Sequence, residues 1–277
     1  VLNEKVHIAV PTAFFEDESL NIAGTIAHIR DLYQQGMRSV LVSGSTGEQH
    51  SLSLQEKIEL ANGLEREVEL IRNMEIIFGV AAVRQKEAEQ LAEKIRKSHI
   101  SGIMLGFPPY VKPTQEEAVI YAESIIKLCE KPVILYNNPG RTGFDLSAES
   151  IIQLSKLDAV IGIKDAGSKE KIAEIKSALQ KDLYFYAGGE EELEEKTGYG
   201  YDRLSSITGN IAPEEISCWF HQLVEKQEIS SEVKERIAQL RKEVYEGNAV
   251  LNVKHHLNQK SIPVGICRSP IGNSYDG

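Results

Sequence analysis

The sequence predicts an α/β chain folded as a (β/α)8 barrel with a C-terminal helical extension. Three observations carry that expectation. Eight short, β-branched apolar runs alternate with amphipathic stretches along the chain. Parallel neighbours need crossover connections of this kind. Eight such units fit into about 210 residues, which favours a closed barrel over an open doubly wound sheet, the alternative arrangement.

The strand-like runs occupy residues 7–14, 39–44, 75–81, 102–107, 132–138, 160–165, 183–188 and 204–208. Between the second and third, residues 53–70 interleave Leu54, Ile58, Leu60 and Leu64 with Gln, Glu and Lys, the periodicity of a surface helix. Residues 85–98, 114–129 and 170–179 repeat that pattern. Ser53 with Glu56, and Thr114 with Glu117, have capping-box spacing, in which a hydroxyl and a carboxylate satisfy free N–H groups. Pro132 and Pro213 stand at the expected first residues of elements, where a missing N–H costs least. No Gly/Ser-rich linker divides the chain. Residues 230–258 read as two or three added helices, so the expected division is a barrel over 1–225 and a helical extension over 226–277.

The 31 basic residues against 41 acidic ones give a net charge of −10, unsuited to a surface that holds nucleic acid or anionic lipid. A composition of 42% hydrophobic and 26% charged residues is that of a globular chain rather than a disordered one. No apolar run reaches the roughly 18 residues of a membrane span, and VLNEKVHIAV lacks the shape of a signal peptide, so the cytoplasm is the expected location. Cys129, Cys218 and Cys267 form no CxxC and are expected as reduced thiols. His255 and His256 are adjacent, about 100° apart on a helix, and make a poor chelating pair; no metal site is expected.

Active groups of a barrel sit at the C-terminal strand ends. Four ends carry polar residues here: Gly44-Ser45-Thr46-Gly47-Glu48, Phe107-Pro108-Pro109-Tyr110, Tyr136-Asn137-Asn138-Pro139-Gly140-Arg141 and Gly162-Ile163-Lys164-Asp165. Strand alternation puts Ile161 and Ile163 on one face, and Val160, Gly162 and Lys164 on the other. If the isoleucines face helices, Lys164 points into the barrel, where desolvation favours the neutral amine needed to form a Schiff base. Gly162 then leaves room for the substrate or the lysine stem. The alternative is a structural lysine that snorkels to the rim or pairs with Asp165 or Glu48. Tyr136 has the same inward parity, and its phenol is suited to moving protons during addition and dehydration, or to packing in the core. Ser45 and Thr46 lie between glycines, in a turn able to offer N–H groups to a carboxylate. Arg141 can clamp a carboxylate or remain solvated. Gly162 and Gly167 have phosphate-loop spacing, but Ser168-Lys169 reverses the required order.

Together GSTGE (44–48), PPYVKPTQE (108–116), YNNPGRTG (136–143) and GIKDA (162–166) resemble the pyruvate-dependent class I aldolases. That family includes dihydrodipicolinate synthases and N-acetylneuraminate lyases, and the likeness is collinear from VPTAF to RSP. The resemblance implies a TIM barrel with a helical extension, assembled as a homotetramer (a dimer of dimers), and no cofactor beyond the covalent Schiff base. It implies that Lys164 is the Schiff-base lysine and Tyr136 the proton-transferring tyrosine. Ser45 and Tyr110 complete the relay, Tyr110 from a neighbouring subunit. Thr46 holds the pyruvate carboxylate, and Arg141 the carboxylate of aspartate semialdehyde. Gly189 and Ser205 fall at the substrate-binding wall. Three departures bear on the second substrate. Ser45 replaces a usual Thr, and Gly188-Gly189-Glu190-Glu191 replaces Ser-Gly-Asp-Asp. Arg203 and Ser205 replace small or apolar residues near the pyruvate pocket. The implied activity is condensation of pyruvate with an aldehyde, as in a dihydrodipicolinate synthase of the lysine and diaminopimelate pathway. The alternatives are a neuraminate or other 2-keto-3-deoxy acid lyase, and a keto-acid binder without turnover.

Overall fold

The computed structural model describes residues 2–273. In chain order its elements are β1 (Val6–Ala9), α1 (Ile22–Gln34), β2 (Ser39–Val42), α2 (Leu54–Glu65), α3 (Val68–Asn73), β3 (Glu75–Val80), α4 (Gln85–Arg96), β4 (Gly102–Gly106), α5 (Gln115–Cys129) and β5 (Val133–Asn137). There follow α6 (Pro139–Thr142), α7 (Ala148–Ser155), β6 (Val160–Asp165), α8 (Lys171–Ala178), β7 (Tyr184–Gly188), α9 (Leu193–Tyr199), β8 (Arg203–Ser206), α10 (Pro213–Val224), α11 (Ser231–Tyr245) and α12 (Ala249–Gln259). The strand order runs from β1 to β8 and closes, a (β/α)8 TIM barrel followed by further helices. Residues 274–277 lie outside the described residues.

Several boundaries differ from expectation, and in three places the physical reason is plain. The first strand stops at Ala9 instead of continuing to residue 14, because Pro11 has no N–H for the ladder. The stretch 53–70 is two helices, interrupted where the N–H groups of Arg66 and Glu67 turn back to the carbonyls of Gly63 and Leu64. Pro132 stands one residue before β5, where its carbonyl accepts the N–H of Ile103, whereas Pro213 does open α10. Both expected capping boxes form, at Ser53/Glu56 and Thr114/Glu117.

By contacts the chain divides into two compact units. One comprises the residues before Val6 and the segment Glu75–Ser205. Its strands pair in parallel from β3 to β8, in registers that include Gly106 with Tyr136, Tyr136 with Lys164, and Lys164 with Tyr186. Ile76, Phe78, Leu105, Leu135 and Ile163 are fully buried there. The other comprises Val6–Met74 and the chain from Ser206 onward, and includes β1, β2, α1 and α10 to α12. In it Lys254, on α12, donates to Glu48 at 2.6 Å and to the Ile266 carbonyl at 2.6 Å, and both charged side chains are buried. The backbone N–H of Arg268 takes the other Glu48 oxygen at 2.9 Å, and the Arg268 guanidinium lies over Phe14 and pairs with Glu56.

Candidate active site

In β6, Lys164 stands in register between Tyr136 of β5 and Tyr186 of β7, so the three side chains share one face. Tyr186 is buried and fills the space above Gly162. A Cβ added at Gly162 would lie 2.9 Å from Tyr186 Cε2 and 2.8 Å from the Tyr184 carbonyl oxygen. The expectation that Gly162 leaves room for substrate or the lysine stem is therefore corrected: a tyrosine ring occupies that space. With this floor filled, the lysine stem runs toward the end of β7. A Cβ at Gly188 would approach Lys164 Cε to 3.1 Å, so the bare backbone there gives the stem its path. The Lys164 Nζ then donates to Ser205 Oγ at 2.9 Å; Ser205 is the register partner of Gly188 and is fully buried.

Lys164 is 7% exposed, and its Nζ lies 4.6 Å from the centroid of the Tyr136 ring. Burial pulls the amine below its usual value of 10.5, and the positive charge of Arg141 adds to that. Tyr136 and the buried Glu190 act in the opposite sense, but desolvation is the largest influence. The two carboxylates named as structural partners of this lysine are engaged elsewhere. Asp165 is held by the Gly167 N–H at 2.6 Å and the Asn137 amide at 3.2 Å, with Lys171 at 3.9 Å. Glu48 has Lys254. A buried amine tending to neutrality beside a phenol and a hydroxyl has the chemistry of a carbonyl nucleophile.

The turn after β5 carries Arg141 and reaches Tyr110. Asn138 caps α6, its Oδ1 accepting the Arg141 N–H at 3.2 Å, while its Nδ2 donates to the Tyr136 hydroxyl at 2.7 Å. Arg141 is exposed and influences Lys164 by charge. The Tyr110 N–H donates to the Thr142 carbonyl at 3.2 Å. Its side chain is 91% exposed on a backbone with φ 73°, a left-handed conformation uncommon for tyrosine. Gly189, with φ 102°, takes a conformation that L side chains rarely adopt and turns the chain just beyond Gly188.

Arg203 opens β8 as the register partner of Tyr186, and its guanidinium turns back over the ring of Tyr184 at 4.0 Å and onto Asp202. Of the two unusual β8 residues, Ser205 is the one bonded to Lys164.

In the other unit, the turn after β2 is bounded by two left-handed residues, Ser43 at φ 55° and Glu48 at φ 51°. The Glu48 N–H returns to the Ser45 carbonyl at 3.1 Å, and Thr12 Oγ1 donates to the Gly47 carbonyl at 2.6 Å. Thr46 is buried and Ser45 half-buried. The Lys254–Glu48 pair anchors this turn. Sequence reasoning missed that partner, although Val250, Lys254 and Leu257 share one helix face and a lysine on an apolar stripe is a signal. It named Asn138 and Gly188 only as parts of motifs, since their importance depends on which atoms approach them. Among the described residues no group of three His, Cys, Asp or Glu could hold a metal ion, and no helix is long and apolar enough to cross a membrane.

A sequence profile of the Dihydrodipicolinate synthetase family matches residues 3–276. The 4-hydroxy-tetrahydrodipicolinate synthase of Oceanobacillus iheyensis is 28% identical over 269 residues, covering 96% of this chain and 90% of that protein. The dihydrodipicolinate synthase of Acinetobacter baumannii, solved with pyruvate, is 27% identical with a TM-score of 0.87, covering 98% and 93% of the two chains. CdNal of Clostridium difficile, solved with mannosamine, is 25% identical with a TM-score of 0.90, covering 99% and 95%.

Proposed function

The chain belongs to the dihydrodipicolinate synthetase family, and from that premise we propose that it condenses pyruvate with aspartate semialdehyde, as a 4-hydroxy-tetrahydrodipicolinate synthase. The observation that carries the reading is the buried Lys164 amine, set against Tyr136 and bonded to Ser205. The neutral amine attacks C2 of pyruvate, and the carbonyl electron pair moves to oxygen, which takes a proton from Tyr136. Loss of that oxygen as water, its second proton coming from the nitrogen, leaves a protonated imine. Removal of a C3 proton gives the enamine, which bonds to the aldehyde carbon while the aldehyde oxygen takes a proton; the semialdehyde's own amine then displaces the Lys164 amine from the imine carbon, closing the ring and returning the lysine. The lysine is the electron sink, so no separate cofactor is needed. Arg141, exposed at the turn after β5, receives the aldehyde's carboxylate. Ser45 and Tyr110 have the relay roles of the resemblance, Thr46 that of the carboxylate site, and Gly189 a place at the substrate wall. A homotetramer in the cytoplasm completes the reading.

A second reading, a sugar-derived aldehyde as partner, is favoured by Gly188-Gly189-Glu190 after β7, by Ser45, and by the likeness to a protein solved with mannosamine. Borohydride reduction with pyruvate tests the shared chemistry. The expected result is a covalent adduct mapping to Lys164, formed at pH values well below the usual lysine value of 10.5. Unchanged mass, or turnover at the parent rate in Lys164→Ala, overturns it. Turnover of pyruvate with aspartate semialdehyde, set beside cleavage of N-acetylneuraminate, decides between the two partners.

A further inference from the structure

The geometry points to Asn138 as a positioning residue that orients the Tyr136 phenol for proton transfer, an inference that rests on the reading of Lys164 and Tyr136 given above. The amide's orientation follows from its partners. The Arg141 backbone N–H can only donate, so the atom facing it at 3.2 Å is Oδ1. Nδ2 therefore faces Tyr136, and the phenol oxygen accepts its hydrogen at 2.7 Å. An oxygen so occupied keeps its own hydrogen for another direction. The Lys164 amine lies on the ring's side of that phenol, 4.6 Å from its centroid.

A helix cap alone does not require this residue. Capping uses only the side-chain oxygen, which serine or aspartate supplies equally well. The Nδ2 group is what asparagine adds, and here it is spent on the phenol. A donated hydrogen bond strengthens as its acceptor oxygen gains negative charge, so the contact helps most while the phenol is giving up its proton. The same residue's carbonyl accepts the N–H and the hydroxyl of Thr142, both at 3.0 Å, and the Thr142 carbonyl receives the Tyr110 N–H. One turn thus ties the phenol to the segments that carry Arg141 and Tyr110.

The test is solvent deuterium exchange into the methyl group of pyruvate, which needs the enamine but no aldehyde. Asn138→Ser and Asn138→Asp both keep a capping oxygen and lose the donor. Both are expected to lower the exchange kcat about tenfold, with KM for pyruvate changed less than about twofold. In a Tyr136→Phe background the same substitutions are expected to have no further effect. Exchange at the parent rate in Asn138→Ser, or an equal loss with and without the phenol, would reduce Asn138 to a cap and overturn the inference. Absence of a pyruvate adduct at Lys164 in the parent protein is a different failure, since it removes the reading on which this one stands.

Discussion

Acidification should destabilise this fold through one buried imidazole, His28 on α1. The side chain is fully buried, with Nε2 2.8 Å from Asn210 Oδ1. Asn210 Nδ2 is already committed to the carbonyls of Ala9 and Ile207, so Oδ1 accepts and the His28 proton sits on Nε2. Nδ1 has no hydrogen-bond partner among the described residues, and a proton arriving there would be buried without an acceptor. Desolvation accordingly lowers the pKa from the usual 6.5 to about 4; the Asn210 bond and Asp31 oppose that shift, and Lys260 adds to it. The folded state binds fewer protons than the unfolded chain between those two values. The contribution is therefore complete above 6.5 and is lost as pH falls toward 4. At about 1.4 kcal/mol per pH unit the interval amounts to about 3 kcal/mol, of which about 2 kcal/mol is lost by about pH 5. Urea unfolding of the parent and of His28→Gln, at pH 7.5 and pH 5, isolates the effect because other titrating groups are common to both proteins. The stability difference between them should shrink at pH 5 by about 2 kcal/mol. An unchanged difference would refute the assignment of a dry, neutral imidazole.

Two further perturbations follow from packing. Lys254→Met strands the Glu48 carboxylate in a dry interior and should cost about 3–5 kcal/mol in urea unfolding; adding Glu48→Gln should restore part of that, and equal losses in the single and double variants would contradict the pairing. Gly162→Ala sets a methyl group against the Tyr184 carbonyl and the Tyr186 ring, and should cost about 1–3 kcal/mol, read as a lower thermal midpoint; an unchanged midpoint would mean that the tyrosine floor yields freely.

Parallel strands read clearly in the sequence because burial on both faces leaves continuous β-branched runs, as in Val133–Leu135 and Val160–Ile163. Helix beginnings were legible where a capping box marks them, but the break after Glu65 was not, since neither Gly nor Pro stands at Arg66 or Glu67. Lys164 and Tyr136 were legible from period-two alternation within their own strands. The roles of Tyr186, Gly188 and Ser205 depend on register between β6, β7 and β8, which no single strand encodes. The carboxylate of Glu48 could be seen as part of a motif, while its partner lies more than 200 residues away.

The chemistry of Lys164 is a property of its surroundings more than of its own identity. Of the influences on the amine, the charges of Tyr136 and Glu190 favour the ammonium, and Arg141, being exposed, opposes them from a screened position. Burial outweighs them, and burial is supplied by neighbours on β7 and β8. The Tyr186 ring closes the interior beneath the lysine, and the missing side chain at Gly188 lets the stem pass to Ser205. The same lysine at an exposed strand end would keep its proton and its hydration, and would be a poor nucleophile at neutral pH. A tyrosine floor, a bare glycine and a hydroxyl at the stem's end are therefore as much a part of the reactive group as the nitrogen.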